Sequence, residues 1–252
     1  MNYKLISQFR KKIKTKKSLI GTWIQSPSTT NVEILAKNGY DWVAIDMEHG
    51  QIDWKTHEDL VRTIEACNTI PLTRISQPSV NDIKHALDSG SYGIIIPNLR
   101  NFDETKKILD YSILPPKGKR GVGFCRANGF GKNFEQYMNN FKPILIPMLE
   151  NIEFFNNLKK IKKINDIDII FLGPYDFSAS INKTGNFKDK MFKNYEKSFL
   201  NQFKDHRIKP GIHLVSPNYK DIKKLTSRGY RFIAFSTDTQ FLNYASNIKI
   251  NN

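Results

Sequence analysis

Cysteine is almost absent: Cys67 and Cys125 are the only two in 252 residues. That excludes a disulfide-stapled scaffold, and without paired spacing it excludes a cysteine zinc site, so a reducing cytoplasm is the expected setting. Long apolar runs are missing too. Nowhere do eighteen apolar residues follow one another, and the basic run Lys11-Lys12-Ile13-Lys14-Thr15-Lys16-Lys17 leads into no signal-peptide core, so neither membrane spanning nor secretion is expected. The first apolar run ends in Gln25-Ser26-Pro27-Ser28-Thr29 rather than a glycine-rich dinucleotide fingerprint, which argues against a doubly wound open sheet. Acidic residues are scarce, 24 against 39 Lys and Arg, for a net charge of +15. Such a surface suits nucleic acid, an anionic membrane or an acidic substrate. Yet no aromatic-basic repeat or nucleic-acid motif accompanies it, and the lysines recur along the whole chain among asparagines and isoleucines, as biased coding composition would produce. The expected partners are therefore small molecules, with no nucleic acid and no membrane.

What is present is alternation. Short apolar runs at 19–23, 42–46, 71–74, 93–96, 144–149, 167–172, 211–214 and 232–235 read as strands buried on both faces. Helix-compatible stretches lie between them at 31–37, 57–66, 81–87, 103–109, 152–160 and 219–225. Parallel strands need crossover connections, and eight such units are the number that closes a (β/α)₈ TIM barrel, an α/β fold whose usual length matches one domain over 1–252. The longest break, 115–140, carries Gly118, Gly121, Gly123, Gly129 and Gly131 and reads as a functional loop.

In such a barrel, polar residues just past the strand ends face a common mouth. They are Asp46-Met47-Glu48-His49-Gly50 after the second strand, Arg74 after the third, Glu150-Asn151 after the fifth and Gly173-Pro174-Tyr175-Asp176 after the sixth. Glu150 and Asp176 would repel each other in a low-dielectric mouth unless protonated or bridged by a cation. With oxygen donors and no cysteine pair, that cation is Mg²⁺ or Mn²⁺, with Co²⁺ as a third choice. Singly, each acid is more simply a helix-start residue; beside Arg74 and His49 the pair favours a site. Arg74 lies in an apolar context and needs an anion, which a substrate oxygen or a structural acid would supply equally well. His49, three residues after Asp46, is the best placed of five histidines for proton transfer. Gly173-Pro174-Tyr175-Asp176-Phe177-Ser178 reads as a tight turn whose N–H groups face an anion, or as a plain capped helix start.

Taken in order, Gly21-Thr22-Trp23, Asp41-Trp42, Ile45-Asp46-Met47-Glu48-His49-Gly50, Arg74, Asp88-Ser89-Gly90, Lys119-Arg120-Gly121-Val122-Gly123, Arg126-Ala127, Glu150 and Gly173-Pro174-Tyr175-Asp176 resemble the HpcH/HpaI family of metal-dependent 2-oxo acid aldolases, relatives of the citrate lyase beta subunit. The resemblance implies a phosphoenolpyruvate/pyruvate-type barrel that makes or cleaves a 4-hydroxy-2-oxo acid from pyruvate and an aldehyde through a metal-stabilised enolate, with no Schiff-base lysine. It implies that Glu150 and Asp176 hold the metal, that the Gly173 to Asp176 turn binds the substrate carboxylate, that Arg74 stabilises the enolate, and that His49 transfers protons with Asp46 or Asp88 orienting it. It further implies a homo-oligomer, a hexamer built as a dimer of trimers that exchanges a terminal helix. Two departures stand out: Met148 where relatives carry glutamine, and Asn128-Gly129-Phe130-Gly131 in place of a glycine-tyrosine signature. A citrate-forming or acyl-CoA-linked lyase, a nucleic-acid-binding protein and an inactive scaffold are the other readings.

Overall fold

A computed structural model describes residues 1–15 and 17–247, so Lys16 of the basic run and the last five residues lie outside it. In chain order the elements are α1 (Tyr3–Ile13), β1 (Leu19–Ile24), α2 (Thr29–Lys37), β2 (Trp42–Asp46), α3 (Trp54–Ala66), β3 (Ile70–Arg74), α4 (Val80–Asp88), β4 (Gly93–Ile96), α5 (Phe102–Asp110), a 3₁₀ turn (Arg126–Asn128), α6 (Phe134–Asn140), β5 (Ile144–Leu149), α7 (Ile152–Ile161), β6 (Ile169–Leu172), α8 (Pro174–Ser180), α9 (Lys190–Phe203), β7 (Lys209–Leu214), α10 (Lys220–Arg228), β8 (Phe232–Thr237) and α11 (Asp238–Ser246). The eight strands pair in parallel, each with its sequence neighbours, and β8 closes on β1. The expected (β/α)₈ barrel is what forms.

Strand alternation decides what the barrel contains. Val43 and Ile45 point outward to join Val32 and Ala36 of α2 and Leu60, Val61 and Ile64 of α3 in an outer cluster. Trp42, Ala44 and Asp46 therefore point inward. The same parity turns Trp23, Leu72, Arg74, Met148 and Phe171 into the lumen. Its floor is aromatic: Trp42 stacks on Phe232 at 4.2 Å, and Trp23 meets Trp42 and Phe171 edge-on at 6.1 and 5.8 Å. Rings this large fit because glycine faces them. A Cβ on Gly21 would lie 1.9 Å from the Trp42 ring, and one on Gly211 would lie 2.7 Å from Phe171.

The connection 115–140 carries secondary structure of its own. It contains the 3₁₀ turn and α6, and it joins the end of α5 to the start of β5. Because barrel helices run antiparallel to their strands, this segment lies at the N-terminal face, away from the mouth.

Candidate active site

One more step along the inward parity of β1, β2, β3, β5 and β6 puts Gln25, Asp46, Arg74, Glu150 and Gly173 into a single layer at the mouth. Arg74 and Asp46 form its centre. Nε and Nη2 of Arg74 donate to Oδ1 and Oδ2 of Asp46 at 2.9 and 2.6 Å, and the guanidinium lies 4.7 Å over the Trp23 ring. Its third nitrogen, Nη1, is 3.3 Å from Oε2 of Glu48. Asp46 is fully buried and accepts three further hydrogen bonds, from the backbone N–H groups of Glu48 and His49 and from Nε2 of Gln25. Burial alone would raise its pKa, but the hydrogen bonds and charge of Arg74, with help from Gln25 and His49, outweigh that and hold it below the ordinary aspartate range. Arg74 is thus anchored by a structural acid and still presents one edge to the mouth.

The other side of the layer is acidic. Glu150 is 5% exposed and takes the backbone N–H of Asn98 at 2.7 Å. Burial pushes its carboxyl up to about 7 against that hydrogen bond, and the charges of Glu48 and Asp176 push the same way. Glu48 is raised as well, by burial first and by Asp46 and Asp176, against the pull of Arg74 and His49. Asn98 ties the two glutamates together, since its Nδ2 donates to Oε1 of Glu48 at 3.2 Å. It does so from a left-handed backbone, φ 57°, which asparagine tolerates better than most residues. Gly173 makes the approach of Glu150 possible, because a Cβ there would sit 2.9 Å from Glu150 Cγ and 3.4 Å from Met148 Cε. Among the described residues no group of three or more His, Cys, Asp or Glu side chains forms a ready-made metal cage.

The structure brings Asp46, Arg74, Glu150 and the Gly173-Pro174-Tyr175-Asp176 turn to one mouth. His49 is at that mouth and exposed, but only its backbone N–H reaches Asp46, at 3.1 Å. Asp46 therefore does not orient the imidazole. Asp88 is elsewhere: it ends α4 at the N-terminal face of the barrel and pairs with Arg120 at 2.5 Å, so within one chain it does not approach His49. Glu48, placed at the mouth by the sequence but given no role, joins the site together with Asn98 and Gln25, which sequence reasoning did not single out. Each follows a strand on its way into the mouth, and that position is the available signal. A cavity of about 750 Å³ opens beside the site, walled by Pro174, Tyr175, α9, β7 and α10, and none of Asp46, Arg74 or Glu150 borders it.

The profile of the HpcH/HpaI aldolase/citrate lyase family matches residues 19–245. A 4-hydroxy-2-oxo-heptane-1,7-dioate aldolase of Shigella flexneri is 29% identical over 243 residues, spanning 94% of this chain and 89% of the relative. A hydroxypyruvate/pyruvate aldolase of Roseobacter denitrificans is 26% identical over 245 residues, 94% of this chain and 93% of its own. A solved HpcH/HpaI aldolase/citrate lyase family protein from Burkholderia cenocepacia superimposes with a TM-score of 0.89 at 26% identity, covering 95% of this chain and 96% of the other.

Proposed function

The chain belongs to the HpcH/HpaI aldolase/citrate lyase family, a carbon-carbon lyase on a TIM barrel, and we propose that it cleaves or forms a 4-hydroxy-2-oxo acid from pyruvate and an aldehyde. The observation that carries this reading is Glu150, buried opposite two other carboxylates with a single N–H donor and a pKa pushed up to about 7. A carboxylate so placed is short of positive charge. Oε2 of Glu48 is also buried and makes no hydrogen bond, its one cationic neighbour being Nη1 of Arg74 at 3.3 Å. A hard divalent cation, Mg²⁺ or Mn²⁺, fits this oxygen donor set, with Glu150 and Asp176 holding it and water or substrate oxygens completing the shell. When bound it polarises the C2 carbonyl and makes the C3 position acidic.

The remaining work belongs to side chains. The first-turn N–H groups of Tyr175 and Asp176, which helix geometry leaves without carbonyl partners, receive the substrate carboxylate. Arg74, fixed by Asp46, meets the negative charge that develops on the C2 oxygen. His49 takes the proton of the C4 hydroxyl as the C3–C4 bond breaks, and a proton returns to C3. Exposed Leu242 and Tyr244 on α11, and Phe124 and Phe130 at the opposite face, support a homo-oligomer, in line with the expected hexamer. Both cysteines are free, which supports a cytoplasmic enzyme. The similarity to aldolases over nearly the whole chain does not favour the citrate-forming, acyl-CoA-linked or nucleic-acid-binding readings.

The test is pyruvate release from a panel of 4-hydroxy-2-oxo acids, with and without chelator, by wild type and Glu150→Ala. Wild type should turn over only with divalent metal. Glu150→Ala should lose more than about 100-fold, beyond what loss of an outer-shell partner causes. Turnover that survives both treatments would contradict the reading.

A further inference from the structure

Gln25 connects the mouth to the last helix. Its Nε2 donates to Oδ2 of Asp46 at 3.0 Å, while its Oε1 accepts from the hydroxyl of Thr239 at 2.9 Å. Thr239 stands in the first turn of α11, and its Oγ1 is 2.9 Å from that of Thr237. Thr237 caps α11 by accepting the Gln240 N–H, which leaves its own hydroxyl hydrogen for Thr239 and the hydrogen of Thr239 for Gln25. Next to them, Asp238 is 6% exposed and grips the same segment through its main chain, accepting the N–H groups of Gln25 at 2.9 Å and Ser26 at 3.2 Å as well as the Ser26 hydroxyl. The start of α11 therefore fixes both the backbone of Gln25 and the direction in which its amide points.

That direction matters because of what lies beyond. Asp46 has no access to water, and Oδ2 has two donors, Arg74 and Gln25. Reversing the amide would aim a carbonyl oxygen at a buried carboxylate, and removing it would leave Oδ2 with Arg74 alone. In either case Oδ2 loses its second donor while Oδ1 keeps Nε of Arg74 and the N–H groups of Glu48 and His49. The carboxylate is left to pivot about Oδ1 and the planar guanidinium follows it, since a two-pronged ion pair moves as one piece. We propose that Gln25 is a positioning residue for Arg74, held in register by Thr239 and Asp238, so that the first turn of α11 sets where the guanidinium sits in the mouth. The inference rests on the functional reading only in assigning Arg74 to the developing charge. The linkage Thr239 to Gln25 to Asp46 to Arg74 stands on geometry.

Gln25→Leu, Thr239→Val and Thr239→Ser in the full-length, metal-loaded enzyme test it. In Gln25→Leu and Thr239→Val, kcat for pyruvate release should fall about tenfold or more, the size of effect that small misplacements of a charge-stabilising group produce. KM should stay within about twofold and thermal midpoints close to wild type, while Thr239→Ser, which keeps the hydroxyl, should restore kcat. Crystal structures of the two impaired variants should show the Asp46–Arg74 fork rotated and the guanidinium moved off Trp23. A fork unchanged in both overturns the proposal, and so does a displaced fork with unchanged kcat, or Thr239→Ser behaving like Thr239→Val. If wild type releases no pyruvate from any substrate, the functional reading fails, while the crystallographic arm still decides whether Gln25 and Thr239 position Arg74.

Discussion

The smallest side chain in the mouth controls the acid with the most perturbed carboxyl. Gly173 has φ −89°, which alanine adopts without strain, so its glycine is required by space rather than by backbone conformation. A methyl group there would press on Glu150 at 2.9 Å from Cγ and 3.1 Å from Oε1. Gly173→Ala should therefore leave folding within about 1 kcal/mol of wild type, since the conflict is with side-chain atoms at a cleft, yet move Glu150 away from Asp176. We expect kcat/KM to fall on the order of 100-fold, the cost typical of a catalytic group displaced by about an ångström. Urea unfolding and the pyruvate assay together check this, and normal turnover by the Gly173→Ala variant would show that Glu150 does not need its present place. At this scale the sequence is informative where a residue's context is local. Arg74 in an apolar strand and acids at strand ends can be picked out directly. Asn98 and Gln25 cannot, because each matters through a partner on a different strand, and Asp88 falls in with His49 only until the course of α4 carries it to the other end of the barrel.

At the scale of elements, the strands are far more legible than the helices, for a physical reason. A strand covered on both faces is a dense apolar run, and all eight are readable as such; β6 begins two residues late, after an isolated bridge between Ile167 and Leu145. The helices lie on a surface crowded with lysine. In α1 only Ile6, Phe9 and Ile13 are buried among the basic residues, and α11 buries only Asp238. These two, with α6, α8 and α9, are not anticipated by the apolar pattern. The strand register also predicts a sensitive position. Gly21 pairs with Trp42 across β1 and β2, both facing the lumen, and the Trp42 ring fills the space a methyl would need, held there by Phe232 and Trp23. Gly21→Ala should cost about 3 kcal/mol, the upper end for overpacking a rigid core, and equilibrium urea unfolding measures it. A loss under about 0.5 kcal/mol would mean that the aromatic floor repacks freely, contrary to the close packing expected of protein interiors.

For the whole molecule, acid should act through two histidines held neutral in the interior. Burial, assisted by the charges of His85 and Arg126, lowers His57 to about 3, and burial with the charge of Arg74 lowers His213 to about 4. His57 meets Thr73 at 2.8 Å, and His213 stands edge-on to Trp23 at 5.8 Å, where the charge of Asp46 pulls upward but is outweighed by burial and Arg74; neither ring hydrogen-bonds a carboxylate. In the unfolded chain both would titrate near the ordinary histidine value of about 6.5. Between that pH and about 4 the unfolded state binds two protons that the folded state does not. Stability must then fall as pH falls, by about 1.4 kcal/mol per pH unit for each histidine. The full contribution is present above about pH 6.5 and disappears for His213 as pH drops through about 4, and for His57 through about 3. Without metal Glu150 works the other way, because its carboxyl, raised to about 7, binds a proton in the folded state before an unfolded glutamate does and offsets about one histidine. Urea midpoints measured from pH 6.5 to 4.5 in chelator should therefore decline with the slope of about one proton or less. His57→Asn should start lower at pH 7, because it loses packing, and lose most of that decline, since His213 and Glu150 then nearly balance. A His57→Asn variant that declines as steeply as wild type would mean that the His57 ring takes up its proton within the fold, and that water reaches the interior at β3.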